Sequence, residues 1–267
     1  MREYNPENYS DLIQAYKKVQ SLNRNINDKF ILLGFDYINK IHGKMTNERF
    51  FDIRDSITLR LDSVLFHYKI LDSIYSPGQK LVDRDFSPIN YMTVSMHQKF
   101  LFDSIIFNSI SVFDYLSCLI TYIREKNKDN WRKTWTSLEN FARGHKAFKQ
   151  SSLGTKIIAV NRDWVNVLND YRSELIHYNS DHLPSSESYN VIEGTVEILV
   201  LAPAQLKKYF KPLSELKGDT EFNINSISLW IIEMCLNIVL ELMQEIKVFI
   251  EENRVISDAN AIMIFKK

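Results

Sequence analysis

At 267 residues the chain can bury one generous core, and 45% hydrophobic with 12% aromatic residues excludes a disordered protein. Its 33 Lys and Arg balance 33 Asp and Glu, which excludes a generic nucleic-acid coat while leaving room for a local basic face. Cys118 and Cys235 are far apart in apolar helical runs, with no zinc or redox spacing, so they suit a reducing cytoplasm better than a disulfide framework.

The opening Met1-Arg2-Glu3-Tyr4-Asn5-Pro6 leads into a polar helix, so no secretory signal is expected. Residues 7–25 and 47–75 read as helices. In the second, Phe50, Ile53, Ile57, Leu61, Tyr68 and Leu71 recur at helical spacing, and Pro77-Gly78 ends it. Between them, Phe30 to Phe35 fits a short helix or a strand. Residues 76–90, with Pro77, Gly78 and Pro88, read as a linker. Residues 1–89 are therefore expected to be an N-terminal helical extension.

From Asn90 a helix rich in Phe, Ile and Leu runs to Asn127, and Trp131 to Lys149 follows as another. Ser151-Ser152 offers an N-cap for a helix to about Tyr178. Its stripe of Ile157, Val160, Trp164, Leu168, Tyr171, Leu175 and Tyr178 keeps a spacing of three and four throughout. After Pro184, Ser188 to Ile192 and Val196 to Leu201 flank Glu193-Gly194-Thr195 and predict a β-hairpin inserted over 186–203. Gly218-Asp219 marks a turn before the last helix, Asn225 to Asn253. That helix is apolar nearly all round, so it needs cover from two directions: its own bundle, and either the extension or another copy of the chain. Its most apolar stretch, Ile227 to Leu240, is broken by Glu233 and Asn237 and reads as core and not as a membrane span. The expected fold is all-α, a four-to-five-helix up-down bundle over 90–256 with the extension, the hairpin insert and a tail at 257–267.

Chemistry concentrates in Tyr171-Arg172-Ser173-Glu174-Leu175-Ile176-His177-Tyr178. Arg172 is a permanent cation able to hold a phosphate with two parallel hydrogen bonds, and His177 is the side chain best suited to move protons near neutral pH. On an ideal helix both turn away from the core stripe. Either they are solvated cations at a helix C-terminus, or they need a second subunit to form a site. A second basic element runs from Arg124 to Lys149. There Arg132, Lys133, Arg143 and Lys146 are candidate RNA contacts, with Trp131 and Trp135 either stacking on bases or filling the core. Glu174-Leu-Ile-His177 also fits the Glu-x-x-His of carboxylate-bridged di-iron bundles. That chemistry needs a second such pair, and the chain has none. No Walker, Rossmann or nucleophile-elbow pattern is present.

An arginine, a small polar residue, three variable residues and a histidine on one helix of an all-α bundle resemble the HEPN superfamily. The matching residues are Arg172, Ser173 and His177, and the resemblance spans roughly 90–253. It departs from members paired with a nucleotidyltransferase, which often carry His-x-Tyr where this chain has His177-Tyr178-Asn179. The resemblance implies a homodimer, with RNA and an antitoxin or other protein as partners and no membrane. It also implies a cytoplasmic, metal-independent endoribonuclease without a cofactor, in which Arg172 and His177 are catalytic. Ser173 and Tyr178 would support them, as would a polar residue of an earlier helix: Asp103, Asn108 or, foremost, Asp114. The alternative is a non-catalytic dimeric helical module that binds a nucleotide, an RNA or a partner protein.

Overall fold

The computed structural model describes residues 4–42, 48–75, 88–125, 133–177, 185–190, 195–202, 205–216 and 223–255. Four long helices dominate: α1 (Leu12–Tyr37), α2 (Glu48–Tyr75), α3 (Pro88–Arg124) and, last in the chain, α10 (Ile224–Glu252). Between α3 and α10 lie α4 (Trp135–Gly144), α5 (Lys146–Gln150), α6 (Ser152–Val160), α7 (Asn166–His177), α8 (Gln205–Tyr209) and α9 (Lys211–Ser214). A π-helical turn, Asn161–Val165, joins α6 to α7 and buries two successive residues, Trp164 and Val165.

The chain divides into two compact units. The first comprises Met1–Gln20, Ser63–Asn108 and Val167–Met234. In it Tyr4 stacks on Tyr9 and meets Trp230 edge-on, and Phe210 closes on the same tryptophan. Glu233, almost fully buried on α10, is neutralised by Lys18 at 2.8 Å and accepts the Tyr9 hydroxyl at 3.2 Å. A buried carboxylate without such partners would cost several kcal/mol, on the order of the desolvation penalty of a charge. The second unit comprises Ser21–Asp62, Ser109–Asn166 and Cys235–Lys267. Its core includes Tyr37 stacked on Phe50 and tilted against Tyr122, Phe113 against Trp135, and Phe148 against Phe249. Lys40 bridges Asp36 and Glu251, and Lys156 reaches Glu241 at 2.6 Å.

The class is all-α, and the finer expectation needs correcting. Among the residues whose burial is described there is no β-strand, and the hairpin expected over 186–203 is not seen there. Only the backbones of Ser185–Asn190 and Thr195–Val200 pair, antiparallel, from Ser185 with Val200 to Asn190 with Thr195. Two strands alone are marginal in water, and the run Ile198-Leu199-Val200-Leu201 breaks the alternation that gives a strand one apolar face. Nor do the first helices form an appendage, because aromatic residues before position 89 share the core of each unit with later helices.

Two elements differ from their sequence reading. Phe30 to Phe35 belongs to α1, whose buried residues Val19, Asn23, Ile26, Phe30, Leu33 and Tyr37 continue the four-three spacing without a breaker. The helix expected from Trp131 to Lys149 is broken at His145, where the backbone is extended (φ −99°, ψ 102°). Pro77-Gly78, Gly218-Asp219 and the 257–267 tail lie outside the described residues. Two helical stretches, Met96–Arg124 and Ile224–Glu252, are long and apolar enough to cross a membrane by length and composition; most of each is buried within the protein.

Candidate functional site

The helix that carries the Arg–His pair starts where the sequence places it. The Ser151 hydroxyl accepts the Gly154 N–H at 3.0 Å, capping α6. Beyond the π turn, α7 anchors itself in the first unit through Leu168 and Tyr171. The Tyr171 ring packs edge-on against Phe102 of α3 and Tyr209 of α8, at 6.4 and 6.1 Å between centroids. Burial pushes the Tyr171 hydroxyl well above its ordinary range, and the Asp103 and Glu174 carboxylates push it the same way. Glu174 in turn accepts the Tyr209 hydroxyl, which this carboxylate holds above its ordinary value.

Arg172 stands one position round the wheel from that anchor. It is half-buried, and its guanidinium lies over the Phe107 ring of α3 at 5.3 Å. A cation–π contact of this kind contributes roughly 0.5–1 kcal/mol and uses none of the N–H donors. Among the described residues the Arg172 guanidinium has no carboxylate partner and no hydrogen bond. With respect to the described residues, all five of its donors therefore remain for an anion. Ser173 beside it is exposed. The α7 backbone reaches His177, five residues on, but the side chains of Leu175, Ile176 and His177 lie outside the described residues, as does all of Tyr178.

Asp114, the expected support for Arg172, has a different observed task. Its Oδ1 accepts the Trp135 backbone N–H at 2.9 Å, at the first residue of α4. Trp135 itself is buried against Phe113, which selects the core reading of that tryptophan over the base-stacking one. Trp131 and Arg132 lie outside the described residues. The Lys133 carbonyl accepts the Ser117 hydroxyl and, at 3.4 Å, the Cys118 thiol. Arg143 is paired with the buried Glu139, whereas Lys146 is exposed. Among the described residues no three His, Cys, Asp or Glu side chains gather closely enough to share a metal ion.

The structure thus assembles Arg172 with Phe107, and Tyr171 with Glu174 and Tyr209. Sequence reasoning missed Phe107 and Tyr209, because each meets α7 across more than thirty positions of chain and carries no local signal. No family model, no curated protein and no solved structure matches the chain.

Proposed function

We propose that the protein is a HEPN-like, metal-independent endoribonuclease whose site is completed by a second copy of the chain. The observation that carries this reading is Arg172, a half-buried guanidinium held over Phe107 with its donors unspent, five residues before His177 on one continuous helix. A second feature supports the need for a partner copy. Met96 and Phe100 on α3 are 50% and 55% exposed, and on an ideal wheel they share the face of Phe107 within about 40°. An apolar strip beside an unspent arginine suits a symmetric interface, in which the same patch is used twice.

The chemistry follows from the substrate. RNA carries its nucleophile, the 2′-hydroxyl, on the carbon next to the one whose oxygen bears the reacting phosphate. One His177 takes the 2′-hydroxyl proton as the oxygen attacks phosphorus. The bond from phosphorus to the 5′-oxygen breaks, and a protonated His177 of the second copy gives its proton to that leaving oxygen. Arg172 donates to the phosphate oxygens, where negative charge builds up in the transition state. The products are a 2′,3′-cyclic phosphate and a 5′-hydroxyl. A cytoplasmic setting fits both the substrate and the free thiols of Cys118 and Cys235.

Incubation of the protein with unstructured RNA in excess chelator tests the proposal. Wild type should yield cyclic-phosphate ends, His177→Ala should lose about 100-fold or more, and Arg172→Ala should lose a similar factor. Cleavage undiminished in both variants would overturn the assignment. No cleavage of any RNA by wild type would favour the non-catalytic binding module.

A further inference from the structure

A second place in the molecule combines an aromatic platform with unspent positive charge: the corner between α4 and α5, within the second unit. The Arg124 guanidinium lies 3.5 Å from the centroid of the Phe141 ring. The His145 ring stacks on the same phenyl at 4.4 Å with 29° between planes. Two groups that close to one centroid cannot share a face without overlapping, so they occupy opposite sides. The result is a three-layer stack of Arg124, Phe141 and His145. Its inner layer is largely buried, the Arg124 side chain being 15% accessible, and its outer layer is the exposed imidazole.

The charge around the stack is positive by subtraction. Among the described residues from Arg124 to Lys149 nearest the stack, Arg124, Arg143, Lys146 and Lys149 stand against Glu125 and Glu139, and Glu245 of α10 is engaged by the Ser152 hydroxyl. Each carboxylate is already taken, Glu125 by Arg124 at 2.5 Å and the buried Glu139 by Arg143. Lys146 and Lys149 are exposed and have no ion pair among the described residues. Lys149 sits one turn beyond His145, its N–H bonded to the His145 carbonyl at 2.8 Å. A flat, solvated ring thus has two exposed lysines, unpaired among the described residues, one residue and one helical turn beyond it.

We propose that this corner docks single-stranded nucleic acid, one base stacking on the outer face of His145 while the adjoining phosphates lie against Lys146 and Lys149. Stacking on an aromatic side chain beside lysines that follow the backbone is the general means of holding unpaired strands. A phosphopeptide would call for a free arginine fork, and both arginines of the corner are occupied. The site goes beyond the cleavage reading and stands without it, because it uses neither Arg172 nor His177.

Fluorescence anisotropy with an end-labelled twelve-nucleotide oligo(A), as RNA and as DNA, tests it on the full chain. An Arg172→Ala/His177→Ala background keeps the RNA intact, so that loss of binding here and loss of cleavage there are separate results. Saturable binding is expected. His145→Ala should weaken it about five- to tenfold or more, and His145→Phe, which keeps the platform, should stay near the starting affinity. Lys146→Ala and Lys149→Ala should each lower the slope of log affinity against log salt by about 0.7. An abasic strand of equal length should bind equally well with and without the His145→Ala substitution. The proposal fails if no oligonucleotide binds, if His145→Ala binds oligo(A) as before, or if a phosphopeptide binds more tightly than either strand. Circular dichroism of each variant confirms the fold, since all three side chains are exposed.

Discussion

Asp114 and Thr134 converge on the start of α4, the aspartate accepting the Trp135 N–H at 2.9 Å and the threonine the Ser137 N–H at 3.3 Å. The first amides of a helix have no partner inside it, so an acceptor supplied from α3 does the work of a cap while tying two helices together. Asp114→Ala should therefore lower stability by about 1 kcal/mol, within the 0.5–2 kcal/mol spread of capping residues, measured as a lower urea midpoint at constant slope. Asp114→Asn, which keeps an oxygen acceptor, should lose less. If both variants unfold like wild type, the bond is not stabilising. The run Val112-Phe113-Asp114-Tyr115-Leu116 sets a carboxylate among apolar residues, where it needs a partner. It could not announce which partner, since a capped helix end and an arginine satisfy the same demand. Arg172 was legible in the converse way: its offset from the apolar stripe shows in the sequence, whereas the Phe107 ring beneath it is a matter of where α3 passes.

At the scale of elements, the corner from α5 into α6 is set by a close backbone approach. A Cβ placed on Gly154 would stand 1.9 Å from the Phe148 carbonyl oxygen and 2.7 Å from its carbon. Neither atom belongs to a flexible side chain, so one helix must move. Gly154→Ala ordinarily favours a helix by up to about 1 kcal/mol, yet here it should destabilise by about 1–3 kcal/mol or more, because the clash outweighs propensity. A thermal melt above that of wild type would show the corner to be looser than its geometry. Helix positions were legible wherever the apolar spacing held: the Ser151 cap, the stripe through Ile157, Trp164, Leu168 and Tyr171, and the all-round apolar α10. What periodicity cannot carry is the pairing of remote helices. The buried Glu233 of α10 is met by Lys18 and Tyr9 from more than two hundred residues away. The break at His145 also escaped: no proline marks it, although Phe148, buried beyond it, stands about 110° off the stripe through Trp135, Leu138 and Ala142.

For the molecule as a whole, zero net charge means that any affinity for nucleic acid must come from local arrangement and not from a general field. A shared site between two copies must likewise rest on a particular surface. In the proposed dimer that surface is the face of α3 carrying Met96 and Phe100, in line with Phe107 and so with Arg172. Both side chains are at least half exposed, so replacing one with a charge has little to disturb within the chain. Phe100→Asp should thus leave helicity and melting near wild type. In the dimer it would set two carboxylates on one apolar seam, a repulsion doubled by the two-fold axis. Light scattering should find wild type at twice the 31.5 kDa chain mass and the variant at the chain mass itself. Cleavage should fall with the dimer, because each copy alone retains one Arg172 and one His177 without the opposing pair. A wild type that is monomeric at every concentration and still cleaves would place the whole reaction on a single α7. A dimeric Phe100→Asp protein with full activity would move the interface to another face.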